Sequence, residues 1–172
     1  MYNFAYKQNS EPNMNKMTTG IIIGLVTGLL LAFLIVFFSA PSLMFRETKV
    51  EGDFAATVEK VEKAVLDHGW KIPHVHDLQA TLKNFGKDVR SVKVFELCNP
   101  DYAYEILSKD EERVISNMMP CRLAVYEKKD GAVYISRMNS GTVAKPMSKV
   151  VRKTMTVAAK DMEDIIAEVV SQ

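Results

Sequence analysis

From Gly20 to Ala40 the chain reads GIIIGLVTGLLLAFLIVFFSA without a charged residue. About twenty apolar residues, rising 1.5 Å each as a helix, match the roughly 30 Å hydrocarbon core of a bilayer. A cleaved signal peptide competes for the same pattern, but its apolar stretch is about 7–15 residues and ends in a small-x-small site. This run is longer, and Phe38 stands where the first small residue would be needed before Ser39-Ala40. The expected organisation is a short tail over 1–17, a transmembrane helix over 18–40, a linker with a first strand over 41–52, and a soluble domain over 53–172.

Lys7, Lys16 and the terminal amine favour a cytoplasmic N-terminus, and Arg46 and Lys49 beyond the span weaken that asymmetry. The expected placement is a single-pass membrane protein with an exported, periplasmic or extracytoplasmic, C-terminal domain. Within the span Gly20, Gly24 and Gly28 recur every four residues and Ala32 continues the row. On a helix this spacing makes a shallow seam where a second backbone can approach closely. Glycine is also simply frequent in membrane helices. The partners expected of the segment are the lipid bilayer and another transmembrane helix, from a second copy or from a complex subunit.

Charge bears on what the domain binds. Lys7, Lys16 and Glu11 are the charged residues of the first forty, so the chain's 22 basic and 21 acidic residues leave twenty of each behind them. A neutral domain lacks the clustered positive charge that phosphate backbones require, and no nucleic-acid partner is expected.

The pattern behind the anchor predicts an α+β domain with a mixed or antiparallel sheet of four to five strands packed with helices. Pro41 and Ser42 punctuate, and MFRETKV reads as extended. Asp53 is a good N-cap for a helix whose stripe is Phe54, Val58, Val61, Val65 and Leu66, ending at Gly69. WKIPHVH reads as a strand, 78–86 as a short helix closed by Gly86, and VRSVKVFELC as a buried strand. Asn99-Pro100 opens a helical stretch over 101–117 that Met119-Pro120 stops. CRLAVYEK and AVYISRM, joined at Asp130-Gly131, form a hairpin with a tight primed turn. A last amphipathic helix over 152–170 turns Met155, Ala158, Met162, Ile165, Ile166 and Val169 inward.

The segments CNPDYAYEIL and MMPCRLAVYEKKDGAVYISRMN resemble the characteristic stretch of the domain of unknown function 302 family. The resemblance spans about residues 50–170. It implies a small α+β fold that tends to self-associate, in members that often carry an N-terminal membrane helix, and it implies no reaction.

Residues with chemical potential are few. His74 and His76, two apart on a strand, share a face and offer two nitrogen ligands, or else flank a loop entrance after Pro73 as solvated groups. Cys98 ends one strand and Cys121 begins the next. A parallel crossover would set the thiols at opposite ends of the sheet, and an antiparallel pairing would bring them within the roughly 6 Å between Cα atoms that a disulfide needs. Two buried unpaired thiols are the alternative. Together His74, His76, Cys98 and Cys121 would make a tetrahedral metal site, and Met118 and Met119 would suit copper(I) or an axial haem contact. The spacing matches no standard zinc module.

Asp110, Glu111 and Glu112 read as a solvated face. Ser108 and Glu111 have capping-box spacing, which would divide the helical stretch in two. Lys128, Lys129 and Asp130 read as turn residues. No nucleophile elbow, P-loop or dinucleotide fingerprint occurs. The expectation is therefore a membrane-anchored, non-catalytic accessory subunit. The alternative is a periplasmic metal- or haem-binding module in redox or sulfur metabolism.

Overall fold

The computed structural model of the protein describes residues 14–171. Most of the expected tail, including Lys7 and the terminal amine, lies outside the described residues. Helix α1 runs Met14–Met44, longer at both ends than the 18–40 expected. It contains Pro41, whose ring normally breaks a helix by clashing with the carbonyl four residues earlier. Here Pro41 is followed by only one further turn, so little of the hydrogen-bond ladder depends on it. From Lys16 to Met44 the helix is long and apolar enough to cross a membrane, and 0% of its most apolar window is buried.

The chain divides into two compact units, Met1–Ala40 and Pro41–Gln172. In the second, strands β1 (Phe45–Val50), β2 (Lys71–Asp77), β3 (Val92–Cys98), β4 (Cys121–Glu127) and β5 (Val133–Met138) form one sheet in the order β1-β5-β4-β3-β2. Every neighbouring pair is antiparallel, the purer form of the expected mixed or antiparallel sheet. Helix α2 (Phe54–Asp67) follows β1, α3 (Leu78–Lys83) follows β2, and α6 (Lys149–Ser171) closes the chain.

Local chemistry sets these limits. The Asp53 carboxylate accepts from the Ala56 N–H at 2.8 Å and so satisfies one orphan donor at the start of α2. Gly69, at φ 77°, ends it in a conformation that side chains with a Cβ avoid. Asp77 caps α3 in the same way, accepting from Ala80 N–H at 2.8 Å. The pairing of β2 is irregular between Lys71 and His74. Pro73 sits there, and a residue without an N–H is tolerated at such a bulge on an edge strand.

Alternation along the strands puts Phe95, Leu97, Leu123, Val125, Val133 and Ile135 on one face, all buried. Against them pack Val58, Val61, Ala64 and Val65 of α2 and Ile165, Ile166 and Val169 of α6, in one cluster. Each Val, Leu, Ile or Phe among them contributes about 1.5–3 kcal/mol of burial, and Ala64 less. Leu66, expected in the inward stripe, is 56% exposed. One residue beyond Val65 turns about 100° around the helix, which carries Leu66 off the packed face.

Two further expectations change in detail. The helical stretch is two elements, α4 (Pro100–Leu107) and a 3₁₀ helix (Asp110–Met118), with Asp110, Glu111 and Glu112 in the first turn of the second. Its N-cap is Lys109 rather than Ser108, and no side chain caps it, so the capping box does not form. In the β4–β5 hairpin Gly131 has φ 79°, but no described non-glycine residue has positive φ. A type I′ turn needs positive φ at both central residues. Instead Lys128 N–H donates to the Ala132 carbonyl at 2.9 Å across a longer loop.

Candidate functional site

Where β3 gives way to α4, the Asn99 side chain accepts from the N–H groups of Asp101 at 3.1 Å and Tyr102 at 3.4 Å, with Pro100 in the first helical turn. This cap sets the face of α4, and Tyr102 and Ile106 line a cavity of about 380 Å³. Leu97 and Cys98 of β3, Cys121 of β4, and Thr154, Met155 and Ala158 of α6 complete most of the wall. Trp70 also lines it, delivered by the turn at Gly69 and anchored by its N–H to the Val65 carbonyl at 3.1 Å. Its indole packs edge-to-face on Tyr102, ring centroids 5.9 Å apart. Tyr102 Oη donates to Asp161 at 2.7 Å, and that bond, with burial and the Asp161 charge, holds the phenol above its ordinary pKa.

Two residues of this wall each carry one polar atom without a hydrogen-bond partner. Trp70 Nε1 and Thr154 Oγ1 are both buried without a hydrogen bond, on residues each 2% exposed. Leaving such groups unsatisfied costs about 1–3 kcal/mol apiece.

The antiparallel β3–β4 pairing brings Cys98 and Cys121 to one end of the sheet and into this wall. Both are free thiols, so the possible Cys98–Cys121 disulfide is not formed. The register explains it. Cys121 lies opposite Leu97, and Cys98 is one residue out of step, on the alternate face of the pleat. Burial, and then the neighbouring Cys98, push the Cys121 thiol up, which keeps it protonated at neutral pH and unlike an activated nucleophile.

His74 and His76 share a face as the two-residue period requires, with ring centroids 4.4 Å apart. They lie opposite Glu96 and Val94, on the strand face turned away from Phe95 and Leu97. His76 Nε2 is 3.0 Å from Glu96 Oε1, and Arg122 lies 3.7 Å from the same oxygen. The His76 hydrogen bond, with the charges of His76, Arg122 and His74, holds the Glu96 carboxyl below its ordinary value despite desolvation. The four-residue metal set His74, His76, Cys98 and Cys121 is therefore not assembled. Among the described residues no three or more His, Cys, Asp or Glu are grouped so as to hold a metal ion. Opposite pleat faces separate the imidazoles from Cys121. Met119 lines the cavity, whereas Met118 lines a second one of about 360 Å³ beside Met138 and Met162.

Trp70, Tyr102 and Thr154 do not stand out as site residues in the sequence. Thr154 alone carried a signal, because a hydroxyl falls within the inward stripe of α6 between Val151 and Met155, both buried.

The model of the family described as domain of unknown function DUF302 matches residues 46–172. Among solved structures, an uncharacterized conserved DUF302 protein from Bacillus stearothermophilus superposes with a TM-score of 0.67 at 19% identity, covering 73% of this chain and 98% of that one. That likeness is one of fold. None of the curated proteins matches the chain. Over residues 46–172, which hold all but the first residue of the sheet and the helices that build this cavity, the chain belongs to the DUF302 family.

Proposed function

We propose that this protein is a single-pass membrane accessory protein whose exported DUF302 domain binds and docks rather than transforms. The observation that carries it is the surface of α1. Ile21, Leu25, Leu29 and Phe33 are exposed, and a Cβ added at Gly20, Gly24 or Gly28 would meet nothing within 4 Å. With Ala32, these glycines leave a flat strip on an otherwise bulky helix, a surface suited to a second transmembrane helix, from another copy or from a complex subunit. Native mass measurement of the chain in detergent tests the reading. The expected result is an oligomer or a defined complex that Gly24→Leu disperses. A monomer whose behaviour Gly24→Leu leaves unchanged overturns it. A C-terminal phosphatase fusion, active only after export, tests the orientation.

A second reading, binding of a small molecule by the domain, is favoured by the cavity between β3, α4 and α6. The metal or haem form of that reading draws on His, Cys and Met ligands, of which Cys98, Cys121 and Met119 line the cavity and His74, His76 and Met118 do not. Elemental analysis and an optical spectrum of the protein purified without added metal check that form directly; bound metal or haem would support it, and neither would remove it.

A further inference from the structure

Two cavities in this domain share a wall. Pro120, Cys121, Met155 and Ala158 line both the space of about 380 Å³ beside Trp70 and the second one of about 360 Å³. Each alone falls in the range of small-molecule sites, roughly 300–1,000 Å³. The second continues the first across the strands. It takes Phe45 from β1, Met138 from β5, Ala124 from β4 and Val94 from β3, whereas the first takes Leu97 and Cys98 from β3 and reaches Trp70 before β2. β1 and β3 lie three strand spacings apart in the sheet, about 14 Å. The combined space is elongated.

Its walls favour an apolar occupant. Leu97, Ile106, Leu107 and Met119 line the first cavity, and Phe45, Val94, Met118, Met138 and Met162 the second. Methionines, unbranched and polarizable, follow the varying shape of a flexible chain. The charged side chains on the walls already have partners: Glu96 has His76 at 3.0 Å and Arg122 at 3.7 Å, and Arg137 has Glu163 at 3.2 Å and Thr48 at 2.6 Å. A charge brought inside would lose its hydration without a free counter-charge, so a charged head stays outside.

One rim is itself apolar. Phe45 and Met138 face each other across β1 and β5, line the second cavity, and are 55% and 39% exposed. Phe45 also directly follows Lys16–Met44, the helix long and apolar enough to cross a membrane. One Cα step, about 3.8 Å, therefore ties this rim to a segment suited to lie among lipids.

We infer that the two cavities together hold one linear acyl chain, which enters past Phe45 and Met138, lies across the shared wall with its methyl end toward Trp70, and leaves its polar head outside. The inference rests on the binding reading above and on α1 as a membrane span, and it is independent of how α1 packs against another helix.

Trp70 is the chain's single tryptophan, so its fluorescence reports the far end of the path alone. Bromine quenches an indole only near contact. The full-length chain, reconstituted in phosphatidylcholine vesicles, is titrated with 12-bromododecanoate, with 2-bromododecanoate and with the compact bromobenzene. A further set of vesicles contains phosphatidylcholine brominated at the end of one acyl chain. The expected result is saturable quenching by the terminally brominated chains, relieved by plain dodecanoate and absent with 2-bromododecanoate; whether the free acid or the phospholipid quenches identifies the source of the chain. Ala158→Leu, which adds bulk at the shared wall, should raise the midpoint about tenfold, the loss of roughly two buried methylenes. If both bromododecanoates quench equally, if bromobenzene quenches and the chains do not, or if Ala158→Leu leaves the midpoint unmoved, the domain binds but the acyl-chain assignment is wrong. If no probe quenches, the binding reading itself fails.

Discussion

Arg137 carries a full charge into the inner face of the sheet, where it is 8% exposed and sits across from Leu123. What makes this tolerable is a set of partners drawn from distant parts of the chain. Its guanidinium donates to both carboxylate oxygens of Glu163, one at 3.2 Å, and to Thr48 Oγ1 at 2.6 Å. Arg46, directly opposite on β1, lies 3.1 Å from the same Glu163. One carboxylate thus separates two like charges that would otherwise repel across the strands. Burial alone would raise the Glu163 carboxyl, but Arg137 and Arg46 hold it below its ordinary 4.5. A depressed folded value means its stabilisation is complete above 4.5 and is lost as the pH falls through the folded value. Glu163→Gln should cost about 1–2 kcal/mol at pH near 7, a figure discounted for the partial exposure of Glu163. In urea titrations its deficit against the parent should shrink steadily below about pH 4. A deficit independent of pH would mean that packing, not charge, is what Glu163 supplies. At Thr154 the sign reverses. Removing an unpaired buried hydroxyl in Thr154→Val should raise the ligand-free stability by about 1 kcal/mol, read as a higher Tm.

Among the elements, α6 shows how a helical period turns into energy. The inward residues expected of it, Met155, Ala158, Met162, Ile165, Ile166 and Val169, are all buried, and Val151 and Thr154 extend the stripe by a turn. Ile165 is fully enclosed between the sheet and α2. Ile165→Ala should cost about 2–5 kcal/mol, the sum of lost transfer energy and the cavity left behind. Leu66→Ala on α2 should cost less than about 0.5 kcal/mol, because that side chain is already in solvent. Chemical denaturation of the two variants checks the contrast, and similar losses would contradict the packing described. Both helices were visible in the sequence because a long stripe with a cap at one end has few alternatives. The four-residue helix α5 (Ser140–Val143) was not, since one turn holds too few residues to show a period.

For the molecule as a whole, the division at Ala40–Pro41 implies that the sheet and its helices hold together without the apolar segment. A chain beginning at Pro41 should be soluble and unfold in urea in one transition. Trp70 fluorescence and far-ultraviolet dichroism should trace that transition with coincident midpoints. Separate midpoints would show that the cavity region around Trp70 opens independently of the main core. The small second cluster of Ile106, Ala144, Val151 and Met155 makes this a real test, because it packs apart from the main one.

The sequence by itself determined the apolar helix, the α+β class and the principal helices and strands, because each rests on local periodicity, caps and turn residues, while the family was legible only through the resemblance of two segments to a known one. Antiparallel pairing throughout, the meeting of Trp70, Tyr102, Cys98, Cys121 and Thr154 around one cavity, and the sharing of Glu163 by two arginines were decided only in three dimensions. Register is the physical reason. A shift of one residue between β3 and β4 would exchange the pleat faces, set Cys121 against Cys98 in place of Leu97, and turn the core residues toward solvent. That shift is resisted by apolar burial summed over the whole sheet, which no local stretch of sequence contains.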